Sequence, residues 1–271
     1  MKTFNYGVLT DNLIAGIQDY FKSAGYTDGV LGLSGGIDSA VVFVLGVKAL
    51  GAAHMHALLM PNGKQSSPES ISHAKLLINA FANKGSHSIL DIHPMVDSIV
   101  KTFVLNSEKL GSHKPFSTLR SGNIAARVRM ITLFDYAAAN KCLVLGTENK
   151  SEHYLGYFTL FGDNASCVEP IRELLKTEVY DLAQYLGIPR EIINKAPSAD
   201  LWLGQTDEGE LGFTYADADK MIELLESGLM ESDKPGVMLA NNKYKQITDH
   251  IGKVAFKNKL PYVVPLKCMK K

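Results

Sequence analysis

Val30-Leu31-Gly32-Leu33-Ser34-Gly35-Gly36-Ile37-Asp38-Ser39-Ala40 is the stretch from which the rest of the chain can be read. Val30 to Leu33 is an apolar run of the kind that forms a strand buried on both faces. Ser34-Gly35-Gly36 breaks it. From Ile37 onward Val41, Val44, Leu45 and Ala49 recur at helical spacing. A strand, a glycine turn and a helix start bring bare backbone N–H groups and the positive end of a helix dipole to one place. Adjacent glycines leave no Cβ to hold an anion off the main chain, and Ser34 and Ser39 add hydroxyl donors. The turn is therefore expected to cradle phosphate. It lacks the Gly-Lys-Ser/Thr of a Walker A loop and the Gly-x-Gly-x-x-Gly of a dinucleotide fingerprint. Asp38 lies inside it, and a carboxylate repels phosphate unless a cation stands between them. Mg²⁺ takes one or two carboxylates together with phosphate oxygens, so a metal role for Asp38 is expected. The plainer alternative is an acid that favours a helix start.

Further along, strands and helices alternate. Helices are expected over Asn12–Ala24, Pro68–Lys84, Met95–Val104 and Leu119–Asn140, and strands over His56–Met60, Ser88–Ile92 and Cys142–Gly146. Asn106–Thr118 reads as a polar loop. This order predicts an α/β fold: a Rossmann-like, doubly wound parallel sheet with helices on both faces. Ligands on such sheets bind beyond the carboxyl ends of the strands. The suspects are therefore Ser34–Ser39, Met60–Gln65 and Thr147–Glu152.

The 271 residues are read as a single domain, 1–271, with 46% hydrophobic and 21% charged residues and a formal net charge of +0. That balance offers no basic stripe for nucleic acid. No stretch is apolar for long enough to span a bilayer, and the first sixteen residues lack the apolar core of a signal peptide. Cys142, Cys167 and Cys268 form no Cys-x-x-Cys pair, which argues for a reducing, cytoplasmic setting and against zinc.

A second cluster follows the fourth strand. If Thr147-Glu148-Asn149-Lys150-Ser151-Glu152 turns into a helix, Glu148 and Glu152 share a face, and two such acids repel unless a cation joins them. Otherwise they form a solvated face balanced by Lys150. Composition makes Gly204–Gly212 a flexible loop suited to serve as a lid over a nucleotide.

Ser-Gly-Gly-Ile-Asp-Ser resembles the pyrophosphate loop of the N-type ATP pyrophosphatases, which share an adenine nucleotide alpha hydrolase-like fold. Other motifs follow in order. They are Asn123-x-x-Ala126-Arg127-x-Arg129-Met130, Leu145-Gly146-Thr147 with Glu152, Gly156-Tyr157-Phe158-Thr159 to Asp163, Lys176-Thr177, Pro197-Ser198-Ala199-Asp200-Leu201 and Asp207-Glu208-x-Glu210-Leu211-Gly212. Jointly they resemble the bacterial NAD synthetases, and the ammonia-using form in particular, since the chain has no room for an amidase domain. The resemblance implies a homodimeric ligase that amidates deamido-NAD with ammonia, consuming ATP with Mg²⁺ and releasing AMP and pyrophosphate through an NAD-adenylate. It implies that Gly32, Leu33, Ser34, Gly35, Gly36, Ile37, Asp38 and Ser39 hold ATP, together with Thr147, Lys176 and Ser198. Asp38 and Glu152 would bind the metal. Lys176 would neutralise phosphate charge, Arg127 and Lys257 would hold deamido-NAD, and Asp163 would position or deprotonate ammonium. Arg127 and Arg129 are about 200° apart around a helix, so only one is expected to face the site, and Arg127 is the choice. Some family members carry Lys and Asp where this chain has Leu160 and Cys167, and many carry His-Lys where it has Phe256-Lys257. A tRNA-modifying ATP pyrophosphatase and a non-catalytic nucleotide sensor are the rival readings. The first would show a basic face, and the second would not require both metal acids.

Overall fold

The computed structural model describes residues 4–82, 87–111, 115–202, 204–228 and 242–264. Cys268 and Lys84 lie outside them. Four parallel strands form one sheet in the order β3-β2-β1-β4, with β1 at Asp28–Gly32, β2 at Met55–Leu59, β3 at His87–Ile89 and β4 at Cys142–Val144. The winding direction reverses at β1, so the mouth between β1 and β4 is the switch point at which ligands bind.

Period-two alternation decides which residue enters which core. Leu31, Leu33, Ala57, Leu59, Leu143 and Leu145 point to one face. That face is covered by α1 (Tyr6–Ala24), α2 (Ile37–Leu50), α3 (Pro68–Phe81) and α7 (Lys176–Tyr185). Val30, Leu58, Met60, Cys142 and Val144 point to the other, under α4 (His93–Leu105) and α5 (Thr118–Asn140). The doubly wound arrangement expected from the sequence is thus the observed one. A satellite core joins α6 (Lys150–Leu155) to α9 (Asp207–Leu211), α10 (Tyr215–Glu226) and α11 (Asn242–Val254), with α8 (Arg190–Ile193) packed beside α7.

The structure corrects three boundaries. First, α1 begins six residues early, because the Asn5 side chain caps the Gly7 and Val8 N–H groups. Second, α6 begins at Lys150, where Asn149 forms a reciprocal cap with Glu152. Glu148 therefore precedes the helix and shares no helical face with Glu152. Its carboxylate instead lies 3.4 Å from His153 Nδ1 and 3.8 Å from Arg172 Nε. Third, the acidic run 204–212, expected as a loop, contains α9. Gly212 ends that helix at φ 78°, as a left-handed C-cap does.

Candidate active site

The turn after β1 is built from its own hydroxyls. Ser34 Oγ and Ser39 Oγ lie 3.0 Å apart, Gly36 N donates to Ser34 Oγ at 3.2 Å, and Ser39 Oγ donates to the Gly36 carbonyl at 3.0 Å. Gly36 is the N-cap of α2 and has no side chain to satisfy the first-turn N–H groups. The glycines do different jobs. At φ +77° Gly35 occupies the left-handed region, and a Cβ there would stand 2.2 Å from the Ser70 carbonyl oxygen. Gly36 lines the cavity. Gly35 instead turns its back on the cavity and packs on α3.

Beside this turn stands a buried ionic cluster. Lys176, the first residue of α7, places Nζ 2.6 Å from Asp38 Oδ2 and 3.0 Å from Glu152 Oε1. Asn149 Nδ2 donates to the other Asp38 oxygen at 2.9 Å, and the Asn149 N–H lies 3.4 Å from the other Glu152 oxygen. Tyr215 lays its ring 5.0 Å from the ammonium. Burial lowers the Lys176 pKa, but Asp38 and Glu152 outweigh it, so the net shift is upward and the ammonium stays charged. Burial also pushes the Glu152 carboxyl up, and the nearby Asp38 charge adds to this. With both acids ionised, two carboxylates against one ammonium leave a negative balance where charge is poorly screened. The donors are hard oxygens, the chemistry Mg²⁺ selects. Among the described residues no group of three or more His, Cys, Asp or Glu converges to hold a metal. A cation at Asp38 and Glu152 would therefore complete its shell with phosphate and water, which is the usual Mg²⁺ arrangement. The residues fit the ion.

The cluster is braced from behind. Asp219, buried on α10, accepts from Thr177 N at 2.9 Å, from Thr177 Oγ1 at 2.8 Å and from Ser151 Oγ. Ser151 Oγ in turn accepts from Lys176 N at 2.8 Å. One carboxylate thus fixes the starts of both α6 and α7, the helices that carry Glu152 and Lys176.

All of this opens into a cavity of about 550 Å³. Its lining includes Gly32, Leu33, Ser34, Gly36, Ile37, Asp38, Ser39, Thr147, Glu152, Lys176 and Ser198 at one end, and Arg127, Leu160, Asp163 and Lys257 at the other. Of the site residues expected from sequence, Gly35 alone is absent from that lining.

The choice of Arg127 over Arg129 needs correction, because both line the cavity. Helical spacing fixes where Cα atoms lie, while a guanidinium reaches several ångströms beyond. Arg127 is largely exposed, with Nε bonded to the Leu160 carbonyl at 3.2 Å. Arg129 is the more buried, with Nε bonded to the Met60 carbonyl at 3.1 Å and the charges of Asp200 and Asp163 nearby. Asp163 opens to the cavity and accepts from Thr159 N at 2.8 Å. The protein mass around that cavity nevertheless raises its pKa.

Lys257 donates to the Gly156 and Phe158 carbonyls and sits 4.3 Å over the Phe158 ring, so it ties the turn that forms this wall. Cys167 is half-buried between the two cores and outside the cavity lining, and Phe256 is exposed and also outside it. Sequence reading set Arg129 aside and missed Asn149 and Asp219. The Asn-x-x-Glu pattern of a capping box could have flagged Asn149. Nothing local marks Asp219.

On the α3 side of the cavity, Asp200 adopts φ 50° and accepts from Ser67 N at 3.2 Å and Ser70 Oγ at 3.2 Å, at the start of α3. Ser198 Oγ accepts from Asp200 N at 3.0 Å. Asp207 is buried, accepting from Ala199 N at 2.9 Å and Tyr215 Oη at 3.1 Å. The lid expected at 204–212 is therefore an anchored wall over its described residues.

Comparison with known proteins completes the description. The family model for NAD synthase matches residues 9–261. An NH(3)-dependent NAD(+) synthetase from Chlorobaculum tepidum is 41% identical over 265 residues, covering 93% of this chain and 91% of that protein. An NMN synthetase from Francisella tularensis has a similar structure, with a TM-score of 0.82 at 30% identity, covering 97% of this chain and 100% of that one. The NH3-dependent NAD synthetase of Campylobacter jejuni, solved with a nitrate ion, gives a TM-score of 0.77 at 30% identity with the same coverage.

Proposed function

The chain belongs to the NAD synthase family, and on that premise we propose that it amidates deamido-NAD with ammonia, consuming ATP and releasing AMP and pyrophosphate. One observation carries the reading. A glycine turn with an acid–lysine–acid cluster beside it shares a single cavity with two arginines suited to an anionic second substrate.

In this mechanism the turn 32–39, Thr147 and Ser198 hold ATP. Asp38 and Glu152 would hold Mg²⁺, which would supply charge neutralisation for the transferring phosphate. Arg127, Arg129 and Lys257 hold the dinucleotide, so that its nicotinate carboxylate faces the α-phosphorus. The carboxylate oxygen attacks that phosphorus, the bond to the bridging oxygen breaks, and pyrophosphate leaves into the glycine turn. Lys176 offsets the charge gathered there. Ammonia then attacks the acyl carbon, AMP departs with the bonding electrons, and Asp163 accepts the released proton. A raised pKa suits an acceptor of this kind. The rate comes chiefly from positioning and preorganised charge. The wall formed by 196–202 and 204–211 would keep water from the adenylate.

The same reading makes the protein a homodimer working in the cytoplasm, where ATP is supplied. In support of the dimer, α4 and α5 expose a set of apolar side chains, among them Leu105, Phe103, Val104, Ile131 and Phe134. Apolar side chains that join into one patch suit an association surface. Among the described residues no helix is long and apolar enough to cross a membrane.

Purified protein incubated with ATP, Mg²⁺, deamido-NAD and ammonium should yield NAD, AMP and pyrophosphate in equal amounts. The absence of AMP would remove the proposal. The resemblance to the Francisella protein favours one second reading, an acceptor that is a mononucleotide. Nicotinate mononucleotide in the same assay, giving NMN at a higher kcat/KM than the dinucleotide gives NAD, would establish it.

A further inference from the structure

The cation between Asp38 and Glu152 in this structure is Lys176. Its Nζ lies 2.6 Å from one carboxylate and 3.0 Å from the other, and its side chain is 3% exposed. The remaining oxygens of both acids are met by Asn149, through Nδ2 at 2.9 Å and N at 3.4 Å. Every oxygen of the pair thus faces a donor. A divalent ion arriving alone would have to evict one, and an ammonium left beside it would repel it. The main chain of Lys176 is pinned through Ser151 Oγ at 2.8 Å. Only the side chain can swing, and Ser34, Gly36 and Ser39 line the same cavity.

We propose that Lys176 is a resident stand-in for the divalent cation, closing the metal site until a polyphosphate at the turn draws the ammonium away. Metal then binds only in company with the nucleotide. The inference rests on the reading of Asp38 and Glu152 as metal ligands. It adds that this site is switched by charge exchange and has little affinity for metal on its own. Binding coupled in this way is reciprocal, so metal and polyphosphate raise each other's affinity by one common factor.

The test uses the full chain, Mn²⁺ as the probe, and electron paramagnetic resonance of the free ion as the readout. Without nucleotide, Lys176→Gln should bind Mn²⁺ at least about tenfold more tightly than wild type, within the usual range for coupled sites. Lys176→Arg, which keeps the charge, should behave as wild type. Wild type and Lys176→Gln binding Mn²⁺ equally well would overturn the proposal. Where the glutamine variant does not fold, wild type alone decides. Pyrophosphate should raise its Mn²⁺ affinity by about 5- to 150-fold once the solution chelate is subtracted. Equal Mn²⁺ affinity with and without pyrophosphate overturns the stand-in role but leaves the metal ligands in place. No Mn²⁺ binding under either condition overturns the metal reading itself, and the stand-in with it.

Discussion

The two ends of the cavity are built on different principles. At the phosphate end Lys176 meets Asp38 and Glu152, and the Asn149 side-chain amide meets Asp38, at 2.6–3.0 Å, and the helices carrying Glu152 and Lys176 are tied together by Asp219. At the acceptor end Arg127 and Arg129 each spend Nε on a main-chain carbonyl, Leu160 contributes a neutral wall, and Asp163 stands open. The first end is preorganised for one ligand chemistry, a polyphosphate with its cation. The second presents charge without fixing a shape. On the proposed function, leaving group and metal would be held by a rigid frame, while the identity of the acceptor would rest on fewer and longer-reaching contacts.

This contrast can be broken. The largest effect is expected at the rigid end, where Asp38→Asn should slow AMP formation by about a hundredfold or more, the scale of losing one preorganised electrostatic group. Single-turnover measurement at saturating Mg²⁺ checks it, and near wild-type rates would show that the frame is not needed. At the open end, Arg129→Met should lower kcat/KM for the dinucleotide by about 10- to 150-fold, the worth of a charged hydrogen bond. The KM for ATP should stay nearly constant. Arg127→Met should cost less, because that guanidinium is more exposed, and the reverse order would restore the choice made from helical spacing.

A half-buried acid beside the cavity wall gives a pH signature. Glu169 packs against Gly146, and burial lifts its carboxyl from 4.5 to about 7. Below pH 4.5 both folded and unfolded chains hold this proton. As the pH rises toward 7 the unfolded chain releases it first, so this group's contribution lowers stability across that window. Glu169→Gln has no proton to release. Its Tm relative to wild type should therefore be higher at pH 8 than at pH 4.5, by about 1–2 kcal/mol in stability after solvent screening. A difference independent of pH would refute this. The smallest effect is Phe256→Ala, within about 0.5 kcal/mol of wild type in stability, because the ring is exposed and outside the cavity lining. A raised KM for the dinucleotide would draw this residue into the acceptor end.

The phosphate end was the legible one. Strand, glycine turn and helix are neighbours in sequence, and their chemistry is written in main-chain geometry that residue type controls. The sheet and its two covering layers were legible for the same reason, since alternation of apolar residues is local. The acceptor end was not. Whether Arg129 reaches the cavity depends on where its side-chain tip lies, which periodicity does not encode. Glu148 was misplaced because the Asn149 cap delays the helix. The α9 helix hid in a glycine-bearing acidic run because partners outside that run, the Ala199 amide and the buried Tyr215 hydroxyl, hold Asp207. The reason Gly35 must be glycine lies in Ser70, on a separate helix.

Asp200 carries a consequence for how the molecule is made. It serves the first turn of α3 as a capping side chain would, yet it lies 133 residues downstream of the Ser67 amide it satisfies. A nascent chain leaving the ribosome has α3 in hand long before its cap is synthesised. The opening of that helix, and the wall it gives to the back of Gly35, are finished only once the later half of the chain docks. Nucleotide pocket and late folding event are then the same structure, and no amino-terminal fragment should hold ATP.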